Sequence, residues 1–143
     1  MKIIQLAESF YRAHQQHTEI LQKGNRPYVM VVVSVRGTSF AIPFRSHIRH
    51  PYALWTDRPN GCGLDFTKSV VIDPATDVAA VGVQIRQNEY EAIKGREAFI
   101  TKKFVSFLRT YRKAYQKQEI PRNRMLIQNS ALQYFIREVF DCE

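Results

Sequence analysis

Apolar and polar positions along the chain follow two different periods. Up to about residue 86 the pattern is that of strands and tight connections. Residues 2–6 predict a short strand and residues 7–16 a helix, with Phe10, Ala13, His14 and His17 at helical spacing. Gly24-Asn25-Arg26-Pro27 is a loop signal. Residues 28–36 are rich in valine, as a strand buried on both faces would be. Gly37-Thr38 turns the chain and residues 39–44 return, so the spacing predicts a hairpin. A brief strand is expected over 52–55, loop chemistry over 57–63, and strands over 64–72 and 78–85, with Asp73-Pro74-Ala75-Thr76-Asp77 as a turn. About four or five β segments joined by short connections suit a small, strongly bent antiparallel sheet or barrel.

The second part of the chain changes to helical spacing. Asn88 is a candidate cap for a helix through Ala92 and Ile93, and Gly95 breaks it. Phe99/Ile100, Phe104, Phe107/Leu108, Tyr111 and Tyr115 then recur every three or four residues, predicting a long amphipathic helix. Lys102, Lys103, Arg109, Arg112, Lys113 and Lys117 fall on its other side. Pro121 ends that segment, and Ser130 is a candidate cap for a last helix carrying Leu132, Phe135, Ile136 and Val139. With no repeat, low-complexity stretch or linker, the expectation is one α+β domain over residues 1–143, helices packed around the sheet.

Composition agrees with that picture. A chain of 143 residues with 45% hydrophobic and 12% aromatic residues can fill the core of one domain, which excludes disorder as its dominant state. Its uncharged runs fall well short of the roughly 20 apolar residues of a membrane span, and the N-terminus lacks a secretory pattern. Cys62 and Cys142 lie far apart without a partner motif. These features predict a soluble cytoplasmic protein with no membrane partner.

Charge changes the picture more. The formal net charge is +8, and it is placed unevenly. Residues 94–124 carry ten basic and two acidic side chains, while the remainder balances eleven against eleven. Between Glu19 and Asp57 there is no carboxylate, yet Lys23, Arg26, Arg36, Arg45 and Arg49 lie there with His47 and His50. Clustered cations of this kind collect polyanions, nucleic acid above all, because binding releases counterions. A solvated helix face with no special partner is the alternative for residues 94–124.

Familiar catalytic signatures are absent: no Gly-rich phosphate loop, no His-Glu-x-x-His, no Cys-x-x-Cys and no Gly-x-Ser-x-Gly. Asp57, Asp65, Asp73 and Asp77 are scattered through turns, a poor basis for a two-metal nuclease. The one dense polar constellation is Arg45-Ser46-His47-Ile48-Arg49-His50, after the second strand of the hairpin. Metal-free RNA cleavage needs a base for the 2′-hydroxyl, an acid for the leaving 5′-oxygen and donors for the charge on phosphorus. Histidine suits either proton-transfer role, arginine can grip two phosphate oxygens at once, and Ser46 can hydrogen-bond a non-bridging oxygen. Arg26, Tyr28 and Lys68 are candidates to converge on the same groove. The competing readings are a solvated loop, ordinary strand-end polarity, and an incomplete zinc site of His47, His50 and Cys62.

The ordered set of these segments resembles the toxins of type III toxin–antitoxin systems, specifically the TenpN group related to the ToxN/AbiQ endoribonucleases. The residues carrying the likeness are Asn25-Arg26-Pro27-Tyr28, then Phe40-Ala41-Ile42-Pro43-Phe44-Arg45-Ser46-His47-Ile48-Arg49-His50 and Tyr52-Ala53-Leu54. Gly63-Leu64-Asp65-Phe66-Thr67-Lys68-Ser69-Val70-Val71-Ile72 and Leu132-Gln133-Tyr134-Phe135 complete it. The resemblance implies an SH3-like, MazF/Kid-like β core with peripheral helices. It also implies cofactor-free, metal-independent cleavage of cellular RNA to 2′,3′-cyclic phosphate and 5′-hydroxyl ends. Its implied partner is a small repeat-derived, pseudoknot-like antitoxin RNA, which the toxin cuts from its precursor and which then inhibits it in a protein–RNA hetero-oligomer active in phage defence. Ser46 and Lys68 match family residue types, and Arg26 stands near a basic family position. Ile48 stands where that family places a lysine.

Together these features make an endoribonuclease toxin the leading expectation. His47 and His50 would transfer protons, while Arg26, Arg45, Ser46, Arg49 and Lys68 hold phosphate. Tyr28 and Tyr52 would stack bases, and the basic helix would contact RNA backbone. A non-catalytic structured-RNA-binding module is the runner-up. A DNA-binding repressor is weaker, for want of a helix-turn-helix pattern.

Overall fold

The computed structural model describes residues 2–22, 28–80 and 82–143. Six antiparallel strands form one sheet: β1 (Lys2–Ile4), β2 (Met30–Val35), β3 (Thr38–Arg45), β4 (Ala53–Asp57), β5 (Cys62–Asp65) and β6 (Val70–Ile72). The helices among the described residues are α1 (Glu8–Ala13), α2 (Gln87–Ile93), α3 (Glu97–Tyr115), α4 (Pro121–Gln128) and α5 (Ile136–Asp141). The chain is α+β, as its two periods imply.

The hairpin of β2 and β3 pairs Val35 with Thr38. Its turn is therefore Arg36-Gly37, one residue earlier than expected, with φ of 48° and 84°. Two left-handed central residues match the right-handed twist of the flanking strands. β3 is the centre of the sheet. One edge meets β2 along its length, and the other meets β6 at Ser39, Phe40 and Ala41, then β5 at Phe44 and Arg45. Pro43 is tolerated in this central strand because Phe44 N donates to Val29 O on the β2 side, so the nitrogen of Pro43 faces the gap between β6 and β5.

The sheet does not close. Its order β1-β2-β3-β5-β4, with β6 also on β3, leaves an open sheet rather than a barrel. Two strand expectations are corrected. Residues 64–72 form two strands separated by a 3₁₀ turn, Phe66–Lys68, because the Asp65 carboxylate accepts the Thr67 N–H and bends the chain there. Residues 78–85 are expected as a strand, but among the described residues of that span only Val78 pairs, in an isolated bridge to Leu6. Alternation describes a half-buried surface; a strand also needs an unpaired edge, and here that edge extends only over the residues next to β1.

Helix α3 lays Ile100, Phe104, Phe107, Leu108 and Tyr111 on the sheet. Phe104 meets Phe40 and Phe66 at ring-centroid distances of 5.0 and 5.5 Å. Arg112 departs from the expected outer face: it is buried, and its Nη1 donates to Val139 O at 3.0 Å. Three terminus signals also resolve differently. Asn88 lies inside α2, after Arg86 at the cap position. Pro121 opens α4 rather than ending the helical region, since the first helical position needs no N–H. Ser130 precedes a 3₁₀ turn (Ala131–Phe135), and its hydroxyl donates back to the Leu126 carbonyl instead of capping. Among the described residues no helix is long and apolar enough to cross a membrane.

Candidate functional site

At the end of β3 the chain enters the 46–52 loop, which is tied to the β4–β5 connection. Ile48 N donates to Gly61 O at 3.0 Å, and the Ile48 side chain is buried. Gly61 has φ of 66°, and a Cβ there would come within 3.2 Å of Ile48 N. Glycine thus serves both the left-handed turn and the close approach. Gly63, two residues on, has no room for a Cβ either, because the Leu54 carbonyl occupies the space. These contacts fix where Arg45, Arg49 and His50 stand. His47 sits on the outside of the loop in a left-handed conformation, φ 58°, uncommon for a side-chain-bearing residue.

The centre of the site is Asp65, a residue the charge pattern did not single out. It is fully buried, so every carboxylate lone pair needs a donor. Oδ2 accepts Arg45 Nη1 at 2.7 Å. Oδ1 accepts Thr67 N at 3.0 Å and Thr67 Oγ1 at 2.6 Å, and it lies 3.1 Å from His50 Nε2. Burial pushes the Asp65 carboxyl up, but the bonds from His50 and Thr67, the field of His50 and the Arg45 bond outweigh it. The net direction is down from the ordinary value of 3.8, so Asp65 is a carboxylate at neutral pH.

This cluster holds the His50 ring in place. Tyr52 N donates to His50 Nδ1 at 3.0 Å, and Nε2 faces Asp65 Oδ1 at 3.1 Å. Both nitrogens are engaged, and proton exchange with a substrate requires one of these contacts to open. His47 differs: it is exposed, with Nδ1 3.2 Å from Ser46 Oγ. Lys68, expected near the phosphate, donates to Asn129 O at 2.6 Å and pairs with Glu19 at 3.1 Å.

A groove of about 500 Å³ opens beside the cluster. Arg45, Arg49, His50, Tyr52, Thr67 and Lys68 line one side, and Arg122, Met125, Leu126 and Asn129 of α4 and its end line the other. Met125 is 60% exposed, giving the groove an apolar patch beside Tyr52. Ser46 and Tyr28 line a smaller neighbouring cleft of about 240 Å³, with Arg45 forming a wall of both. His47 lines neither. Arg109, Arg112 and Lys113 lie elsewhere, in a cleft against the β2–β3 turn. Lys102, Lys103 and Lys117 are exposed on or just beyond α3, Lys103 standing 5.4 Å over the Phe99 ring. Arg26 lies outside the described residues. Among the described residues no group of three or more His, Cys, Asp or Glu is placed to hold a metal ion.

Asp65, Thr67 and the groove residues of α4 were not foreseen. A signal for Asp65 exists: an aspartate inside an apolar run, two residues before threonine, must be buried and must turn the chain through its own carboxylate. Arg122 and Met125 carry no such signal, because their approach to the 46–52 loop is a product of tertiary packing. Comparisons with protein-family models, with curated proteins and with solved structures find no match for this chain.

Proposed function

We propose that the chain is a metal-independent endoribonuclease toxin of the type III kind, acting on cellular RNA and held in check by a small structured antitoxin RNA that it processes. The observation that carries the reading is the groove: among the described residues its lining has four cations, Arg45, Arg49, Lys68 and Arg122, and no carboxylate. Such a lining attracts a phosphodiester and does not repel it. Tyr52 and Met125 offer surface for a base to stack upon. In this reading the base removes the 2′-hydroxyl proton and O2′ attacks phosphorus. The 5′-oxygen then leaves with a proton from the acid, giving 2′,3′-cyclic phosphate and 5′-hydroxyl ends. His50 is the histidine in the groove lining; His47, exposed beside Ser46 on the outer side of the loop, would transfer a proton only to RNA that runs past the groove over that loop. His50 joins the chemistry when its Tyr52 contact opens; otherwise it positions Asp65 and Arg45. The SH3-like, MazF/Kid-like core belongs to the same proposal, with the open antiparallel sheet as its observed part.

A second reading, an RNA-binding module without catalysis, is favoured by one observation: both His50 ring nitrogens are already engaged. Purified protein incubated with total RNA in excess EDTA separates the two. Cyclic-phosphate and 5′-hydroxyl ends that vanish in His47→Ala, with RNA affinity kept, support the toxin. Intact RNA from folded, RNA-free protein that still binds RNA leaves the module.

A further inference from the structure

The opposite end of β3 carries a second basic cleft that shares no lining residue with the groove. Its volume is about 610 Å³. Arg36 enters it from the β2–β3 turn, and Arg109, Arg112 and Lys113 enter it from α3. Val105 and Phe140 supply apolar wall, and Glu143 is the one carboxylate of the lining. Arg36, Arg109 and Lys113 are exposed and have no ion-pair partner among the described residues. Four cations gathered around a single carboxylate, Glu143, leave an excess of positive charge that an anion would relieve.

Arg36 adds an independent sign. The first central position of a turn with two left-handed residues favours Asn, Asp or Gly. Arg36 instead holds a long side chain in that left-handed conformation, at φ 48°. Backbone strain of this kind clusters where a side chain has a task. Here the task that position suits is delivery of a guanidinium to the face of α3. Arg112, by contrast, is buried and spends one nitrogen on Val139 O, so it serves as the inner wall.

We infer that this cleft is a second phosphate-binding site, which takes the backbone of the RNA whose other part lies in the groove. The inference rests on the RNA reading above. β3 has eight residues, and at about 3.3 Å per residue the two sites stand roughly 25 Å apart. A short single strand fills only one of them, whereas a folded RNA reaches both. The partner chemistry is therefore a structured RNA longer than the groove, and the cleft selects for that length and shape.

The test compares wild type with the Arg36→Ala/Lys113→Ala double variant, whose thermal unfolding checks that the fold is kept. Two 2′-O-methyl RNAs serve as probes because they resist cleavage: a single strand of about five nucleotides and a hairpin of about 30. The expected result is unchanged affinity for the single strand and about tenfold weaker hairpin binding, with the log-affinity versus log-salt slope shallower by roughly 1.5. Equal hairpin affinity and equal slope in both proteins overturn the inference while leaving the groove reading intact. Wild type that binds neither RNA overturns both. Titration with ATP, followed by the amide resonances of Gly37 and Gln116, separates the sources of phosphate. Saturable shifts with ATP but none with the hairpin assign the cleft to a free nucleotide and overturn the RNA backbone.

Discussion

The two ends of β3 both gather cations, but they hold them differently. At the groove end each of the two innermost cations has a partner inside the protein: Arg45 is paired with buried Asp65, and Lys68 with Glu19 and the Asn129 carbonyl. At the cleft end Arg36, Arg109 and Lys113 have no ion-pair partner among the described residues. Partnered cations are preorganised, so their remaining donors point in fixed directions and lose little freedom on binding. Unpartnered cations are mobile point charges that raise encounter rates and follow ionic strength. Under the proposed function, fixed geometry would belong mainly to the groove end and long-range attraction mainly to the cleft end.

The contrast breaks most severely at Asp65. Asp65→Asn removes a buried charge that holds Arg45, His50 and the Thr67 turn together, and loss of one partner from a buried pair costs about 3 kcal/mol. Urea denaturation should show that loss, and cleavage, where present, should fall with it as His50 and Arg45 lose their fixed orientations. Gly63→Ala attacks the same end through the backbone. The new Cβ meets the Leu54 carbonyl, so β4 and β5 must separate, at a cost of about 2 kcal/mol. Because the cleft is built from the other end of the sheet, the hairpin's salt dependence should persist in both variants at temperatures where they remain folded.

Acid sharpens the comparison without a mutation. The folded Asp65 carboxyl titrates below its ordinary value, so the stability it supplies is fully present above about pH 4. It is lost as pH falls through the folded value, because the unfolded chain then binds the proton first. Denaturation midpoints measured from pH 5 downward should therefore decline in wild type more steeply than in Asp65→Asn. A parallel decline in the two proteins would remove Asp65 as the source.

Each end of this comparison was legible in the sequence only in part. The valine-rich hairpin, the period of α3 and the polar run from Arg45 to His50 are local patterns, and the structure keeps each of them close to its expected bounds. Asp65 was hidden because it reads as one more turn carboxylate, and its partners come from positions 20, 15 and 2 residues away in the chain. Arg112 failed for the converse reason. Helical spacing places it beside the basic stripe, yet the carbonyl of Val139 draws it inward. The α4 wall of the groove was invisible because Pro121 is both a breaker and a good first helical residue, and only packing decides between those roles.

Smaller effects come from changing how a single cation is held. Glu19→Gln frees Lys68 from its part-buried pair, at about 0.5–1 kcal/mol of stability. The groove gains one unit of available positive charge, so the single-stranded probe should bind a few-fold more tightly at low salt. The gain should vanish at high salt, where screening removes it. Lys113→Gln is the matching change at the other end and the smallest in stability. Lys113 is exposed and without an ionic partner among the described residues, so its removal breaks no pair and relieves repulsion from Arg109 and Arg36. Its thermal midpoint should stay level or rise slightly, within about 0.5 kcal/mol of wild type. A clear loss of stability would mean that Lys113 is held by the fold as Lys68 is, and the distinction between the two ends of β3 would fail at that residue.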